Sequence, residues 1–364
     1  MNTSANYTVI GLMSGSSLDG LDLVCCRFEL SDNTWNFTIE SSECVDYPEE
    51  VVKYLTDAFY KTPEEIKQTD INYGKFLGQK LKSFIQKNGL KPDFIASHGH
   101  TIFHRPQEKY TLQIGDGQVI ANETGLTVIN DFRSADVMKG GQGAPLVPVG
   151  DRLLFSEYPI CLNIGGIANL SFEHKGERIA FDICIANQAL NYLANREGKN
   201  YDAGGEMART GILNEALFNT LNTLDYYNKP FPKSLGREFF EKTILPMLLQ
   251  SELNTMDLLR TMVDHIAFQI AKSTGYLPVS TILVTGGGAF NSFLIEQLSS
   301  QSKHHISIPD SLTINFKEAI VFAFLGVLRY RNEINCYKSV TGAFEDSCTG
   351  LIHYPKDLIR GGNF

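Results

Sequence analysis

Two apolar, strand-like runs at residues 7–10 and 23–30 bracket the tract GLMSGSSLDGLD, and the same plan returns at ICLNIGGIANLSF, residues 160–172, around Gly165 and Gly166. Turning one strand into the next takes as few as two residues, so the small residues and acids at 11–22 have a use beyond chain reversal. In 23–30, Val24, Cys26, Phe28 and Leu30 alternate with Arg27 and Glu29, the period of a half-buried strand. A third glycine tract ends the run TILVTGGG at 281–288 and is followed by helical spacing over 291–298. Two hairpin-led halves, the second carrying a strand, glycine loop and helix, restrict the chain to a mixed α/β fold.

Between these anchors, TPEEI opens a helix over 63–87, with a proline and two acids where helix N-termini favour them. DFIASHGH and LTVINDF read as buried strands. Residues 187–196 and 256–273 have helical spacing, the latter with Leu258, Leu259, Met262, Ile266, Ile270 and Ala271 on one face. Glycine and proline concentrate in DFRSADVMKGGQGAPLVP, which sets a domain boundary near residues 131–150. The expectation is a first domain over 1–131, joined by the C-terminal segment 345–364, and a second over 132–344.

The 364 residues, 43% of them hydrophobic, suffice for two cores. With 41 acidic against 32 basic residues, the net charge of -9 disfavours nucleic acid and anionic membrane surfaces and favours a small substrate. Seven cysteines without a C-x-x-C pair suit a reducing compartment, and the N-terminus lacks the basic and apolar regions of a signal peptide. The longest strongly apolar run, 319–328, is about half of the roughly 20 residues that cross a bilayer. A cytoplasmic protein is expected.

Phosphate binding needs backbone N–H groups that a ligand can approach, which glycine and serine allow. MSGSS, NIGGIAN and TGGGAFN each qualify and each is equally a plain turn, but three in one chain favour a nucleotide. Neither G-x-x-x-x-G-K-[ST] nor G-x-G-x-x-G occurs, so the two familiar nucleotide motifs are excluded. Asp19 and Asp22 flank Gly20, and Asp182 ends the run RIAFD; carboxylates so placed serve as a general base or hold magnesium through water. A turn former at Asp19 and a helix N-cap at Asp182 are the structural alternatives. Alternation in SHGHTIFHRP sets His98 and His100 on one face, a polar pocket wall rather than a metal site, because no cysteine or acidic cluster adjoins. Arg133 offers a fork for a substrate carboxylate, or an ion pair to Asp131 or Asp136. PKSLGREFF, residues 232–240, either contacts an anion or anchors a loop.

GLMSGSSLDGLD, SHGHTIFHRP, TLQIGDG, DFRSADVMKGGQGAPLVP, LNIGGIANLSF, YDAGGEMARTG, PKSLGREFF, VTGGGAFN and VTGAFED, in this order over nearly the whole chain, resemble the anhydro-N-acetylmuramic acid kinases. The resemblance implies a two-domain actin-like (ribonuclease H-like) ATPase fold, each domain a mixed sheet flanked by helices. It also implies ATP and Mg2+ as cofactors, with no metal ligand assigned in the protein itself, an anhydro-sugar as substrate, and a homodimer as the family's common assembly. The reaction would open 1,6-anhydro-N-acetylmuramic acid with water and phosphorylate O6, a step in peptidoglycan recycling. Carried over by position, Gly15, Ser16, Ser17, Leu18, Asp19, Gly20, Leu21 and Asp22 match the ATP-binding segment. Gly165 and Gly166 join them, Gly286, Gly287 and Gly288 match the adenosine-side loop, and Asp182 matches the base. His98, His100, Arg133 and Asn187 would hold the sugar. Many members follow the base with Thr-Gly-Pro-Gly-Asn, whereas here Ile183, Cys184, Ile185 and Ala186 precede Asn187, and Ser16 stands where threonine is common. A non-catalytic sensor and a kinase for a different amino sugar are the readings this departure keeps open.

Overall fold

The first tract joins β1 (Ala5–Ser14) to β2 (Leu21–Ser31), paired antiparallel from Ala5 opposite Leu30 to Ser14 opposite Leu21, in a computed structural model that describes residues 5–15, 18 and 20–356. Ser16, Ser17 and Asp19, named above, lie outside the described residues. β3 (Thr34–Val45) extends the meander, and β4 (Phe94–Arg105), β5 (Tyr110–Ile114) and β6 (Thr127–Asn130) follow. The helix Pro63–Asn88 carries the chain from the meander to β4, which lies parallel to β1. A parallel pair needs such a crossover. Thr62 starts this helix with a capping box: its hydroxyl accepts the Glu65 N–H while the Glu65 carboxylate takes the Thr62 N–H at 2.9 Å. Tyr73, Leu77, Leu81 and Phe84 form its buried face.

The second sheet repeats the plan with β7 (Ile160–Ile164), β8 (Ile167–His174), β9 (Glu177–Ile185), β10 (Thr281–Thr285) and β11 (His305–Ser307). β12 (Leu351–His353) returns to the first sheet, antiparallel to β6. The strand orders are β3-β2-β1-β4-β6-β12, with β5 on β4, and β9-β8-β7-β10-β11. Each sheet is thus an antiparallel meander whose first strand continues into parallel neighbours. This is the expected α/β class with two mixed sheets.

The chain divides into two units: residues up to 155 with those from 316 onward, and residues 156–315. The sequence-based division near 131–150 differs from this in where it assigns residues 132–155 and 316–344. Leu12, Leu23, Ile95 and Val128 centre one core of the first unit. Leu162, Ile183, Ile266 and Val284 belong to that of the second. Each such side chain contributes about 1.5–3 kcal/mol on burial. Among the described residues one helix, Ser311–Tyr330, is long and apolar enough to cross a membrane, and 78% of its apolar window is buried inside the protein.

Candidate active site

In the second unit the strand β9 ends just beyond Asp182, and residues 226–235 fold back onto it. The Asp182 N–H donates to the Lys233 carbonyl at 3.1 Å, the Tyr226 hydroxyl donates to the Asp182 carbonyl at 2.6 Å, and the Leu235 N–H donates to Asp182 Oδ2 at 2.8 Å. Oδ1 accepts no hydrogen bond from the described residues. Burial raises the carboxyl above its ordinary 3.8, opposed in part by the Leu235 N–H. The helix Asn187–Asn195 is capped at Ala186, so Asp182 is no N-cap: it stands four residues too early, inside the strand. PKSLGREFF anchors a loop, its Lys233 carbonyl and Leu235 N–H holding Asp182. Its Arg237 pairs at the surface with Glu241 at 2.7 Å, and the Lys233 ammonium sits over the Phe181 and Tyr226 rings.

The glycines of this unit fall into two kinds. A Cβ on Gly286, which has φ +81, would come within 2.6 Å of Asn163 Oδ1, and one on Gly288 would collide with the Ile164 side chain. The fold requires glycine at both. At Gly165, Gly166 and Gly287 a Cβ would meet nothing nearer than 3.3 Å, and none of the three has a left-handed φ. The fold does not explain these three. Their surroundings do: Gly165 lies by the Asn163 amide, Gly287 by the Asn187 amide, and Asn187 Nδ2 donates to the Ile164 carbonyl at 3.0 Å. The Gly165 and Gly166 carbonyls accept the N–H groups of Asn187 and Ala186 at 3.1 and 2.9 Å. Their own N–H groups donate to no described atom. Gly166 and Gly287 are exposed and Gly165 half-buried, so backbone N–H groups without a described acceptor lie at the surface, the chemistry a phosphate can use. Asn187 thus tethers the end of β7 through one amide hydrogen. Asn163, which the sequence reading missed, shares the cluster. Ile183 to Ala186 are fully buried and have no left-handed φ, so this stretch packs as core.

In the first unit β4 bulges between Ser97 and His100, with Gly99 at φ +73. The bulge interrupts the expected alternation, and the two histidines have separate partners. His98 Nδ1–H donates to the Gly99 carbonyl at 2.8 Å, so Nε2 accepts from Arg133 Nε at 3.1 Å and Nη2 at 2.9 Å. Burial and the Arg133 charge hold His98 well below its usual pKa, in the neutral form this geometry demands. Arg133 Nη1 donates to the Gly143 carbonyl at 2.6 Å. Neither Asp131 nor Asp136 pairs with Arg133: Asp131 caps the Ser134 N–H, and Asp136 faces Gly143, Thr341 and Cys336. Burial lowers the guanidinium to about 10 while the Glu318 charge supports it. Glu318, in a helix legible only as apolar core, was not anticipated.

His100 Nδ1 lies 2.9 Å from the Ser14 hydroxyl, which accepts from Tyr47 at 2.7 Å, and Tyr47 lies 2.8 Å from the Tyr73 hydroxyl. The buried imidazole is held to about 4. This chain of hydroxyls ends at Ser14, one residue before the opening turn. Within that turn the Leu18 N–H bonds the Gly15 carbonyl at 3.3 Å, and Gly20 needs its φ of +151. Leu21 is buried in the core, paired with Ser14 and Val45, and Asp22 lies within β2 between Met13 and Cys44. No group of three metal-ligating side chains occurs among the described residues.

A carboxylate with one oxygen fixed and one open, its proton affinity raised by burial, has the chemistry of a general base. The family model for anhydro-N-acetylmuramic acid kinase matches residues 7–355. The anhydro-N-acetylmuramic acid kinase of Mannheimia succiniciproducens is 33% identical over 95% of this chain and 98% of its own, and that of Shewanella sediminis 35% identical over 98% and 100%. The activator of the 2-hydroxyisocaproyl-CoA dehydratase from Clostridium difficile, solved with bound ADPNP, matches with a TM-score of 0.44 at 13% identity, over 89% of this chain and 97% of that one. The chain belongs to the anhydro-N-acetylmuramic acid kinase family.

Proposed function

We propose that the protein is an ATP-dependent kinase that opens 1,6-anhydro-N-acetylmuramic acid with water and phosphorylates the freed O6, giving N-acetylmuramate 6-phosphate. The observation that carries the hydrolytic half is Asp182, whose carboxylate is held on one oxygen by Leu235 with its affinity for a proton raised by burial. Its open oxygen takes the proton of a water directed at C1. The C1 to O6 bond breaks, and O6 becomes the phosphoryl acceptor. ATP supplies the γ-phosphoryl group, and magnesium would neutralise the triphosphate.

Gly165, Gly166 and Gly287 line the phosphates with backbone, while Gly286 and Gly288 fix the loop against Ile164. Gly15, Leu18, Gly20, Leu21 and Asp22 form the part of the opening tract assigned to the nucleotide. On the sugar side, Arg133 takes the lactyl carboxylate, with His98 orienting the guanidinium and His100 offering a neutral imidazole. Asn187 supports this arrangement by holding the end of β7.

Purified protein with ATP, magnesium and the anhydro-sugar should release ADP and a 6-phosphorylated sugar. Asp182→Asn keeps an acceptor for the Leu235 N–H, so it should fold and bind sugar while losing roughly 10²–10⁴ in turnover. Sugar bound without any ADP release by the parent protein would make it a sensor. An unimpaired Asp182→Asn would remove the base.

A further inference from the structure

We infer that Asp136 and Thr341 are positioning residues for Arg133, so that the loop over residues 335–349 sets the group that takes the sugar's carboxylate; this rests on the reading of Arg133 given above. The Asp136 side chain is 0% exposed and faces three donors. The Gly143 N–H reaches Oδ2 at 2.8 Å, and the Thr341 hydroxyl and Cys336 thiol reach Oδ1 at 2.8 and 3.1 Å. Gly143, at φ +65, then presents its carbonyl to Arg133 Nη1 at 2.6 Å. Through the backbone of one residue, Gly143, the carboxylate therefore aims the acceptor that aims the guanidinium.

Nε and Nη2 are already committed to His98. Three of the five guanidinium N–H groups are thus engaged, and two remain, the number a bidentate carboxylate takes. Which two remain depends on where Gly143 stands. A shift of this carbonyl would turn the fork away from its ligand.

The distant loop arrives as a closed unit. The Asn335 amide donates to the carbonyls of Leu325 and Thr349 at 3.1 and 3.0 Å and accepts the Thr349 N–H at 2.6 Å. Toward the Arg133 side, the Thr341 carbonyl accepts the Gln142 N–H at 2.8 Å and the Phe344 N–H donates to the Lys139 carbonyl at 3.3 Å. Thr341 is 1% exposed, and among the described residues the acceptors for its hydroxyl are Asp136 at 2.8 Å and, more weakly, the Tyr337 carbonyl at 3.3 Å.

The test compares Thr341→Val, which keeps the shape and removes the donor, with Thr341→Ser, which keeps the donor, beside Asp136→Asn and Arg133→Lys. Thr341→Val and Asp136→Asn should raise KM for 1,6-anhydro-N-acetylmuramic acid roughly tenfold, with KM for ATP within about twofold and Thr341→Ser near the parent. Inhibition by 1,6-anhydro-N-acetylglucosamine, which lacks the lactyl carboxylate, should be equal in all of them. Thr341→Val with a lower Tm but an unchanged sugar KM would reduce the contact to a structural one and overturn the inference, as would equal weakening of both sugars. If Asp136→Asn does not fold, the threonine pair decides alone. A sugar KM raised by Arg133→Lys but not by Thr341→Val defeats only the positioning role, whereas an unchanged KM in Arg133→Lys defeats the reading of Arg133 beneath it.

Discussion

The carboxyl of Asp182 is shifted upward by burial, and a base in this position must be ionised to act. The sign follows: activity is present above the folded-state pKa and is lost as pH falls through it. The acid limb of kcat/KM should therefore lie above the ordinary carboxylate value of 3.8, and a limb at or below it would remove Asp182 as the titrating group. The sequence singled out Asp182 as a candidate base by motif order, but the groups around it were not legible. The Leu235 N–H and the Tyr226 hydroxyl come from 53 and 44 residues away, and no local pattern links a strand-end aspartate to a peptide in a distant loop. Arg133 makes the same point: its nearest acids in sequence suggested an ion pair, yet the bulge at Gly99 puts a neutral imidazole there instead.

At the scale of elements, the hairpins and the glycine loop were readable because period-2 alternation and glycine punctuation are local signals. Sequence could not say which glycines the fold needs. That depends on what a Cβ would strike, and the answer separates the five glycines at 165–166 and 286–288 into two testable sets. Gly288→Ala should cost about 1–3 kcal/mol, because the added carbon overlaps Ile164 and the strand end must shift. Gly286→Ala should also destabilise by about 1–3 kcal/mol, because φ 81 and ψ 169 lie in a region essentially reserved for glycine. In contrast, Gly165→Ala, Gly166→Ala and Gly287→Ala should leave Tm close to the parent value and raise KM for ATP. Thermal melts beside nucleotide titrations check this. Alanine variants at 165, 166 and 287 that bind ATP normally would mean that these loops serve no nucleotide.

At the scale of the whole molecule, buried imidazoles in both units make stability depend on acid. His98 and His100 lie in the first unit, and His265 in the second donates from Nδ1 to Asn222 at 2.8 Å and accepts at Nε2 from Tyr227 at 3.0 Å. Desolvation holds His100 at about 4 and His265 at about 3, with His98 well below the usual 6.5. The unfolded chain takes up these protons near 6.5, whereas the folded chain does so only near the lowered values. The stabilisation is thus complete above about pH 6.5 and is lost as pH falls toward 4, at up to roughly 1.4 kcal/mol per pH unit for each imidazole. Asp70 works in the opposite direction, since burial raises its carboxyl to about 6 and the folded chain binds that proton first. Asp182 opposes in the same sense. The three imidazoles outnumber these two carboxyls, so Tm should fall between pH 6.5 and 4. His265→Gln keeps a donor and an acceptor for Asn222 and Tyr227 without a group that titrates here, and it should flatten the slope by about one proton. Melts across this range decide the matter: a flat profile in the parent, or an unchanged slope in His265→Gln, would show that these rings are hydrated well enough to protonate in the folded chain.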